Sequence, residues 1–323
     1  MAFFKSQKGV WLQNRADLNS VRIDNERFFL DFLDPKKRNS GSGYHSSVFA
    51  IVDEAGKRTG AIKFCNYPVI LKADKSVSAA ESKNNILVRR FLNEITALKN
   101  VRDSKFRDKA IAIRSFGIMQ FKDHQEPSTK HNVLWFSSEL AQYNLSDFLA
   151  NNHPSVDQRI SICYDILSSL IALHTLGIIH RDIKPANVVC VDDCWKFLDL
   201  GLSDSEDREL GLDSSGDKIG PFGYMSPEAL NEHMGIKNDP MFNACCKIDK
   251  YSDVFQLGML FWYIIRGEVT AGIIEAGDLE GTNIDYDFFH SGLAHMLPLR
   301  KERRLSCEEI HRSLSRFFKS YGI

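Results

Sequence analysis

Net charge is the first thing this chain lacks: its 323 residues carry 41 Lys+Arg against 42 Asp+Glu, a formal charge of −1. Proteins that live on bulk attraction to a phosphate backbone show a clear basic excess, and acidic solvating chains err the other way, so neither class fits and no nucleic-acid partner is expected. Long apolar runs are missing too. The longest, Leu257 to Ile265, falls far short of the ~18 residues that span a bilayer, so no membrane partner is expected. The start, MAFFKSQKGV, meets a lysine straight after two phenylalanines and offers no apolar leader. Cysteine is sparse and irregular, with seven at positions 65, 163, 190, 194, 245, 246 and 307, an odd set without the spacing of a disulfide framework. Cys190 and Cys194 stand near each other and Cys245-Cys246 are adjacent, yet no second pair is placed to close four ligands around zinc, and buried or incidental thiols are the plain reading. Repeats of solenoid length and low-complexity segments are also absent. What remains is an ordinary globular composition, 43% hydrophobic and 26% charged, enough for one large domain or two lobes. A soluble, cytoplasmic protein with reduced thiols is expected.

The chain reads as one unit of two unequal parts behind a short extension. Residues 1–27 mix Phe3, Phe4 and Trp11 with charges and are expected to pack on a lobe. From about Phe28 to Glu139 the signals are mostly strands: SVFAIVD, the turn-like Glu54-Ala55-Gly56, RTGAIKFC, AIAIRSFGIMQF and NVLWFSSEL. One helix interrupts them, with Leu87, Phe91, Ile95 and Leu98 at helical spacing. After Tyr143 the pattern turns helical. SVDQRISICYDILSSLIALHTLG is a long amphipathic helix with Ser155 as N-cap, and DVFQLGMLFWYIIRG, apolar all round and stopped by Gly267, is a core helix.

The densest chemistry lies in His180-Arg181-Asp182-Ile183-Lys184-Pro185-Ala186-Asn187, with Asp199-Leu200-Gly201 shortly after. A carboxylate to orient a hydroxyl, a cation for a phosphate and oxygen ligands for Mg²⁺ are the parts that phosphoryl transfer needs. HRDIKPAN and the Asp-Leu-Gly element resemble the catalytic loop and DFG element of the eukaryotic-type protein kinases. Other elements are similar to that family in the same order. Gly41-Ser42-Gly43-Tyr44-His45-Ser46-Ser47-Val48 resembles the loop over the ATP phosphates, and Ala61-Ile62-Lys63 the strand of the ATP-contacting lysine. Glu94 resembles the helix-borne glutamate that pairs with this lysine. Its separation from Lys63 implies a polar insertion around Lys72 to Lys83, and Glu81 is a competitor. Ser226-Pro227-Glu228 looks like the end of an activation segment, Asp253 like the aspartate that anchors the catalytic loop, and Arg304 like the ion-pair partner of Glu228.

The resemblance implies an α+β fold of two lobes, a small antiparallel-sheet N-lobe with one key helix (about 28–139), a hinge (about 139–143) and a larger, mainly helical C-lobe (about 144–320). It implies ATP and Mg²⁺ as cofactors, Mn²⁺ being an acceptable substitute, and a protein carrying serine or threonine as substrate, with autophosphorylation. In this reading Asp182 accepts the substrate hydroxyl proton, Lys184 neutralises charge on the transferring phosphoryl group, and Asn187 and Asp199 hold the metal. Lys63 and Glu94 position the phosphates, Gly41, Gly43 and Ser46 form the lid, and Val48 and Ala61 meet the adenine face. The Glu139 and Ala141 backbones meet its edge, with Ser138 as a small gatekeeper.

Arg181 and Lys196 would make a two-cation pocket for a phosphate on the activation segment, with Ser203, Ser205, Ser214 and Ser215 as acceptors. That segment, residues 202–219, carries Asp204, Glu206, Asp207, Glu209, Asp213 and Asp217 against Arg208 and Lys218, a net charge of −4. It is a solvated face, a lure for basic substrates, or a source of a carboxylate such as Glu206 that occupies the pocket in place of a phosphate. Three departures from the family pattern stand out: Ser46 for glycine, Leu200 for phenylalanine, and Pro221 where a threonine usually bonds the catalytic aspartate and lysine. Ala186 gives no support for preference for upstream arginine. A pseudokinase scaffold and a small-molecule phosphotransferase are the competing readings, and regulation falls to the activation segment, the N-terminal stretch or a separate regulatory protein.

Overall fold

Short alternating strands dominate the first third of the chain because β-branched and aromatic residues recur at period two between turn residues. The computed structural model describes residues 2–5, 9–13, 16–34, 45–74, 76–205, 219–236, 245–270 and 272–323. They fall into two units, Met1–Arg102 with Ile111–Ala141, and Asp103–Ala110 with Gln142–Ile323.

The first unit is a curled sheet with one long helix. Its strands are β1 (Phe3–Lys5), β2 (Gly9–Trp11), β3 (Ser20–Ile23), β4 (Glu26–Asp31), β5 (Ser46–Val52), β6 (Arg58–Cys65), β7 (Val69–Leu71), β8 (Val77–Ala79), β9 (Ile113–Asp123) and β10 (Lys130–Ser138), with helix α1 (Asn85–Arg102) between β8 and β9. The strand order is β2-β1-β9-β10-β6-β5-β4-β3, with β7 on β10 and β8 on β7, antiparallel throughout except for β1 beside β9. Three strands therefore come from residues 1–27. Phe4, Val10, Leu30, Phe49, Ile62, Phe64 and Phe121 meet in one apolar core. Alternation along β6 sends Ile62 and Phe64 into that core and leaves Ala61 and Lys63 on the opposite face. The expected turn after β5 closes with Gly56 at φ 81°, a region glycine enters without a Cβ penalty. The polar insertion around Lys72 to Lys83 is built largely by the β7–β8 hairpin, pairing Val69 with Ala79. On α1 the buried stripe runs Val88, Phe91, Glu94, Ile95, Leu98 and Val101, whereas Leu87 is only half-buried.

The second unit is mainly helical. In order come β11 (Tyr143–Asn144), α2 (Leu145–Asn151), α3 (Val156–Thr175), β12 (Ile178–Ile179), β13 (Val188–Val191), β14 (Cys194–Phe197), β15 (Asp204–Ser205), α4 (Pro227–His233), α5 (Lys250–Arg266), α6 (Tyr286–Phe288), α7 (Ala294–Met296) and α8 (Cys307–Ser320). A capping box of Ser155 and Gln158 starts α3, satisfying two backbone N–H groups reciprocally. Asp249 and Ser252 do the same for α5, which Gly267 ends in the left-handed region at φ 80°. Val254, Leu257, Leu260, Phe261 and Ile264 bury α5 on nearly every side, which makes it a rigid post for whatever its polar residues hold. No helix among the described residues is long and apolar enough to cross a membrane. None of the seven cysteines is in a disulfide.

Candidate active site

In the sheet unit, β5, β6 and β10 carry the expected nucleotide-binding residues. Val48 stands opposite Lys63, Ala50 opposite Ala61, and Ala61 opposite Ser138, so Val48, Ala61 and Lys63 share the face turned away from the apolar core. The Lys63 Nζ donates to both carboxylate oxygens of Glu94, at 2.8 and 2.9 Å, and the two side chains are only 14% and 3% exposed. An ammonium this far from water needs a counter-charge in place, and α1 supplies it from its buried face. Glu81, the competitor, lies before the helix on the surface and pairs with Lys83. The Glu139 N–H donates to the Ala112 carbonyl at 3.0 Å, and the Glu139 carbonyl accepts the Ser138 hydroxyl. The Glu139 side chain joins the same contact, its Oε1 accepting the Ala112 N–H at 2.9 Å. Ser46 is buried at the start of β5; Gly41 and Gly43 lie outside the described residues.

In the helical unit, α5 holds the expected catalytic loop by its backbone. The Asp253 carboxylate is fully buried and accepts the N–H groups of His180 at 2.7 Å and Arg181 at 2.8 Å, and the His174 Nε2 hydrogen at 2.9 Å. One turn along α5, Gln256 Oε1 accepts the Ile183 N–H at 2.8 Å while its Nε2 donates to the Arg181 carbonyl at 3.2 Å. Arg181 sits at φ 69°, a strained conformation for an L-residue that these bonds maintain. Burial lowers the His180 pKa, and the ring packs edge-on against Phe197. At His174 burial also opposes charge, but Cys307 and Asp253 beside the ring outweigh it and hold its pKa above the ordinary value.

This scaffold presents Asp182. Its Oδ2 accepts the Lys184 ammonium at 2.8 Å and the Asn187 amide at 2.7 Å, and its carbonyl accepts the same amide at 2.9 Å. Both Asn187 amide hydrogens are committed to Asp182, which leaves Asn187 Oδ1 as an acceptor for a cation. Asp199 follows β14 at φ 61°, its Oδ1 accepting the Gly201 N–H. Among the described residues no three His, Cys, Asp or Glu side chains converge as a metal site. An amide oxygen and a carboxylate are hard donors of the kind that Mg²⁺ takes beside waters and phosphate oxygens. Pro221 supplies no hydroxyl, yet the Lys184–Asp182 contact closes without one. Beside it Gly220 has φ 104°, and a Cβ there would lie 3.0 Å from Gln256 Nε2, so the segment rests directly on the residue that pins the loop.

The start of the activation segment is tied down as well. β15 pairs with β12, and the Asp204 carboxylate accepts the Arg181 Nη1 hydrogen at 2.9 Å. A carboxylate thus reaches Arg181, though from Asp204; Glu206, Ser214 and Ser215 lie outside the described residues. Ser203, an expected phosphate acceptor, is 3% exposed, and its hydroxyl donates to the Leu200 carbonyl at 2.7 Å, closing a turn. Ser205 is half-buried in β15, and Lys196 is buried in β14. At the segment's far end Glu228 and Arg304 form a buried two-bond pair at 2.7 and 3.0 Å, with Ser252 Oγ on the same carboxylate at 2.6 Å. Burial pushes the Glu228 carboxyl up, but the Arg304 hydrogen bonds and charge, with Ser252, outweigh it and hold the pKa below the usual range.

Residues 35–313 match the Protein kinase domain family. The chain belongs to that family. It is 25% identical over 229 residues to the mouse Dual specificity protein kinase TTK, covering 70% of this chain and 23% of that protein. It is 32% identical over 123 residues to the Probable serine/threonine-protein kinase fnkB of Dictyostelium discoideum, covering 37% and 23%, and 33% identical over 155 residues to human Activin receptor type-1C, covering 44% and 30%. The chain spans less than a third of the length of each of these relatives. Within this protein kinase domain the sequence reading missed His174 and Gln256, which hold the His180–Asn187 loop through Asp253 and through backbone groups. Gln256 carried one usable signal, its place three residues after Asp253 on the same face of α5.

Proposed function

We propose that this domain transfers the γ-phosphoryl group of ATP to serine and threonine hydroxyls of protein substrates, with autophosphorylation. The observation that carries the reading is the Asp182 carboxylate held between Lys184 and Asn187 on a loop that Asp253 and Gln256 fix to α5. Asp182 orients the acceptor hydroxyl and takes its proton as the bond to phosphorus forms. Lys184 faces the charge that grows on the transferring group. Lys63, set by Glu94, positions the α and β phosphates, while the Glu139 carbonyl and the Ala141 backbone meet the adenine edge. Asn187 and Asp199 would hold Mg²⁺, which supplies charge neutralisation between the phosphates. Tyrosine is the alternative acceptor, since one relative's name describes dual specificity.

The test is transfer from γ-labelled ATP with Mg²⁺ to the protein itself and to generic protein substrates, followed by phosphoamino-acid analysis. Label on serine and threonine that disappears in Asp182→Ala supports the reading. Label on tyrosine as well extends the acceptor class. ATP binding without any transfer makes the domain a pseudokinase, and turnover only with a small hydroxyl compound makes it a small-molecule phosphotransferase.

A further inference from the structure

The family match begins at residue 35, yet the β1–β2 hairpin before it is built into the sheet that carries the nucleotide-binding strands. Phe4 pairs with Asp123 at the end of β9, its carbonyl accepts the His124 N–H at 2.9 Å, and Phe4 and Val10 are each 1% exposed in the core shared with Phe49, Ile62 and Phe64. On β2 the contact is closest at Gly9. A Cβ at this position, where φ is 76°, would lie 1.9 Å from Asn66 Oδ1 and 2.7 Å from Ser47 Oγ. Those two atoms are themselves joined: Ser47 Oγ donates to Asn66 Oδ1 at 2.7 Å, and both residues are buried. Asn66 also donates its N–H to the His45 carbonyl at 3.0 Å, and the neighbouring Tyr67 hydroxyl lies 2.6 Å from His45 Nδ1.

Asn66 and Tyr67 therefore grip residues 45 and 47, on either side of Ser46, where the chain runs from the glycine-serine sequence into β5. Two residues away, Val48 stands opposite Lys63. We infer that the N-terminal hairpin is a positioning element for the nucleotide-binding strands, with Gly9 acting through the Asn66–Ser47 bond to fix the chain that leaves the phosphate-covering loop. A side chain at Gly9 has no room beside the buried side chains of Asn66 and Ser47, so it must displace Asn66, release residues 45 to 47 and loosen the lid on ATP. The inference rests on the proposed use of ATP, and its consequence is specific: the hairpin governs ATP affinity while leaving the Asp182 loop untouched.

The experiment compares full-length wild type, Gly9→Ala, Asn66→Ala and the double variant, all checked for folding by circular dichroism and thermal midpoint. ATP affinity is read directly by titration with a fluorescent ATP analogue and, where transfer occurs, as KM for ATP beside kcat. Gly9→Ala is expected to weaken ATP binding about five- to tenfold with kcat held within about twofold. Asn66→Ala is expected to do the same, and adding Gly9→Ala to it is expected to change the affinity no further, because the two residues act on one contact. Unchanged ATP affinity in folded Gly9→Ala overturns the inference, as do fully additive effects in the double variant. Should the analogue bind without phosphoryl transfer, the proposed activity fails while the affinity comparison still decides the role of Gly9. Should wild type bind no ATP at all, both fail.

Discussion

Replacing Asp253 with asparagine changes one atom at the centre of the catalytic-loop anchor, and its consequence can be worked from three hydrogen bonds. The carboxylate accepts from the His180 and Arg181 N–H groups and from His174 Nε2, all within 2.7 to 2.9 Å, at a site with no solvent access. Asparagine turned to keep its oxygen toward His180 and His174 places an NH₂ group against the Arg181 N–H. One charge-assisted bond worth about 1.5–3 kcal/mol is lost, and a buried donor is left unpaired at a further cost of about 1–3 kcal/mol. The lost bond is one of those that hold Arg181 in its strained conformation, so the loop relaxes and Asp182 moves off its mark. At about 1.4 kcal/mol per tenfold, losing roughly 3 kcal/mol of preorganisation lowers kcat about a hundredfold. Steady-state kinetics on a protein substrate, with urea unfolding of the same samples, measure both quantities. Undiminished kcat in Asp253→Asn would refute the reasoning, because the anchor would then not govern the loop.

Glu228→Gln removes the counter-charge of the fully buried Arg304 guanidinium and should cost about 3–5 kcal/mol of stability near pH 7 by chemical denaturation. The folded-state pKa of Glu228 lies below its ordinary value of 4.5. Its stabilisation is therefore complete above that value and lost as pH falls through the folded pKa, so the gap between variant and wild type should narrow with acidification and not with alkali. Glu94→Gln keeps the shape but takes the charge from a bidentate contact with a lysine only 14% exposed, and ATP affinity and kcat/KM should fall about tenfold or more in titration and kinetic assays. Asp204→Asn weakens the ion pair to Arg181, whose side chain is 3% exposed. Phosphatase-treated wild type should keep its activity and phosphatase-treated Asp204→Asn should lose about tenfold; equal activity of the two would mean that this carboxylate does not serve in place of a phosphate.

The parts of the site that chemistry dictates were legible in the residues. A lysine, a glutamate and the run His180 to Asn187 are residue types few structural roles demand in that order, and Lys63 with Glu94, and Asp182 with Lys184 and Asn187, stand in bonding contact. What supports them was harder to read. His174 and Gln256 look like ordinary helix residues until Asp253 and the loop carbonyl are placed beside them. The N-terminal hairpin was opaque for a different reason: two three-residue strands carry too little alternation to declare themselves, and β1 is fixed by long-range pairing with β9 rather than by propensity. The buried stripe of α1 was read from Leu87, but Val88 opens it, a shift of one position that periodicity cannot resolve at a helix end. A serine in an acidic segment reads as exposed, yet Ser203 is buried and its hydroxyl closes a local turn onto Leu200.

The most direct measurement of the central claim is the rate of phosphoryl transfer at saturating ATP and Mg²⁺ in wild type and Asp182→Ala, with ATP affinity titrated in both. Asp182 is taken to act on the acceptor hydroxyl and not on nucleotide binding. Affinity should therefore stay within about twofold while transfer falls by about a thousandfold or more. Transfer that persists in Asp182→Ala, or a wild-type protein that binds ATP and never transfers its phosphate, would contradict the account.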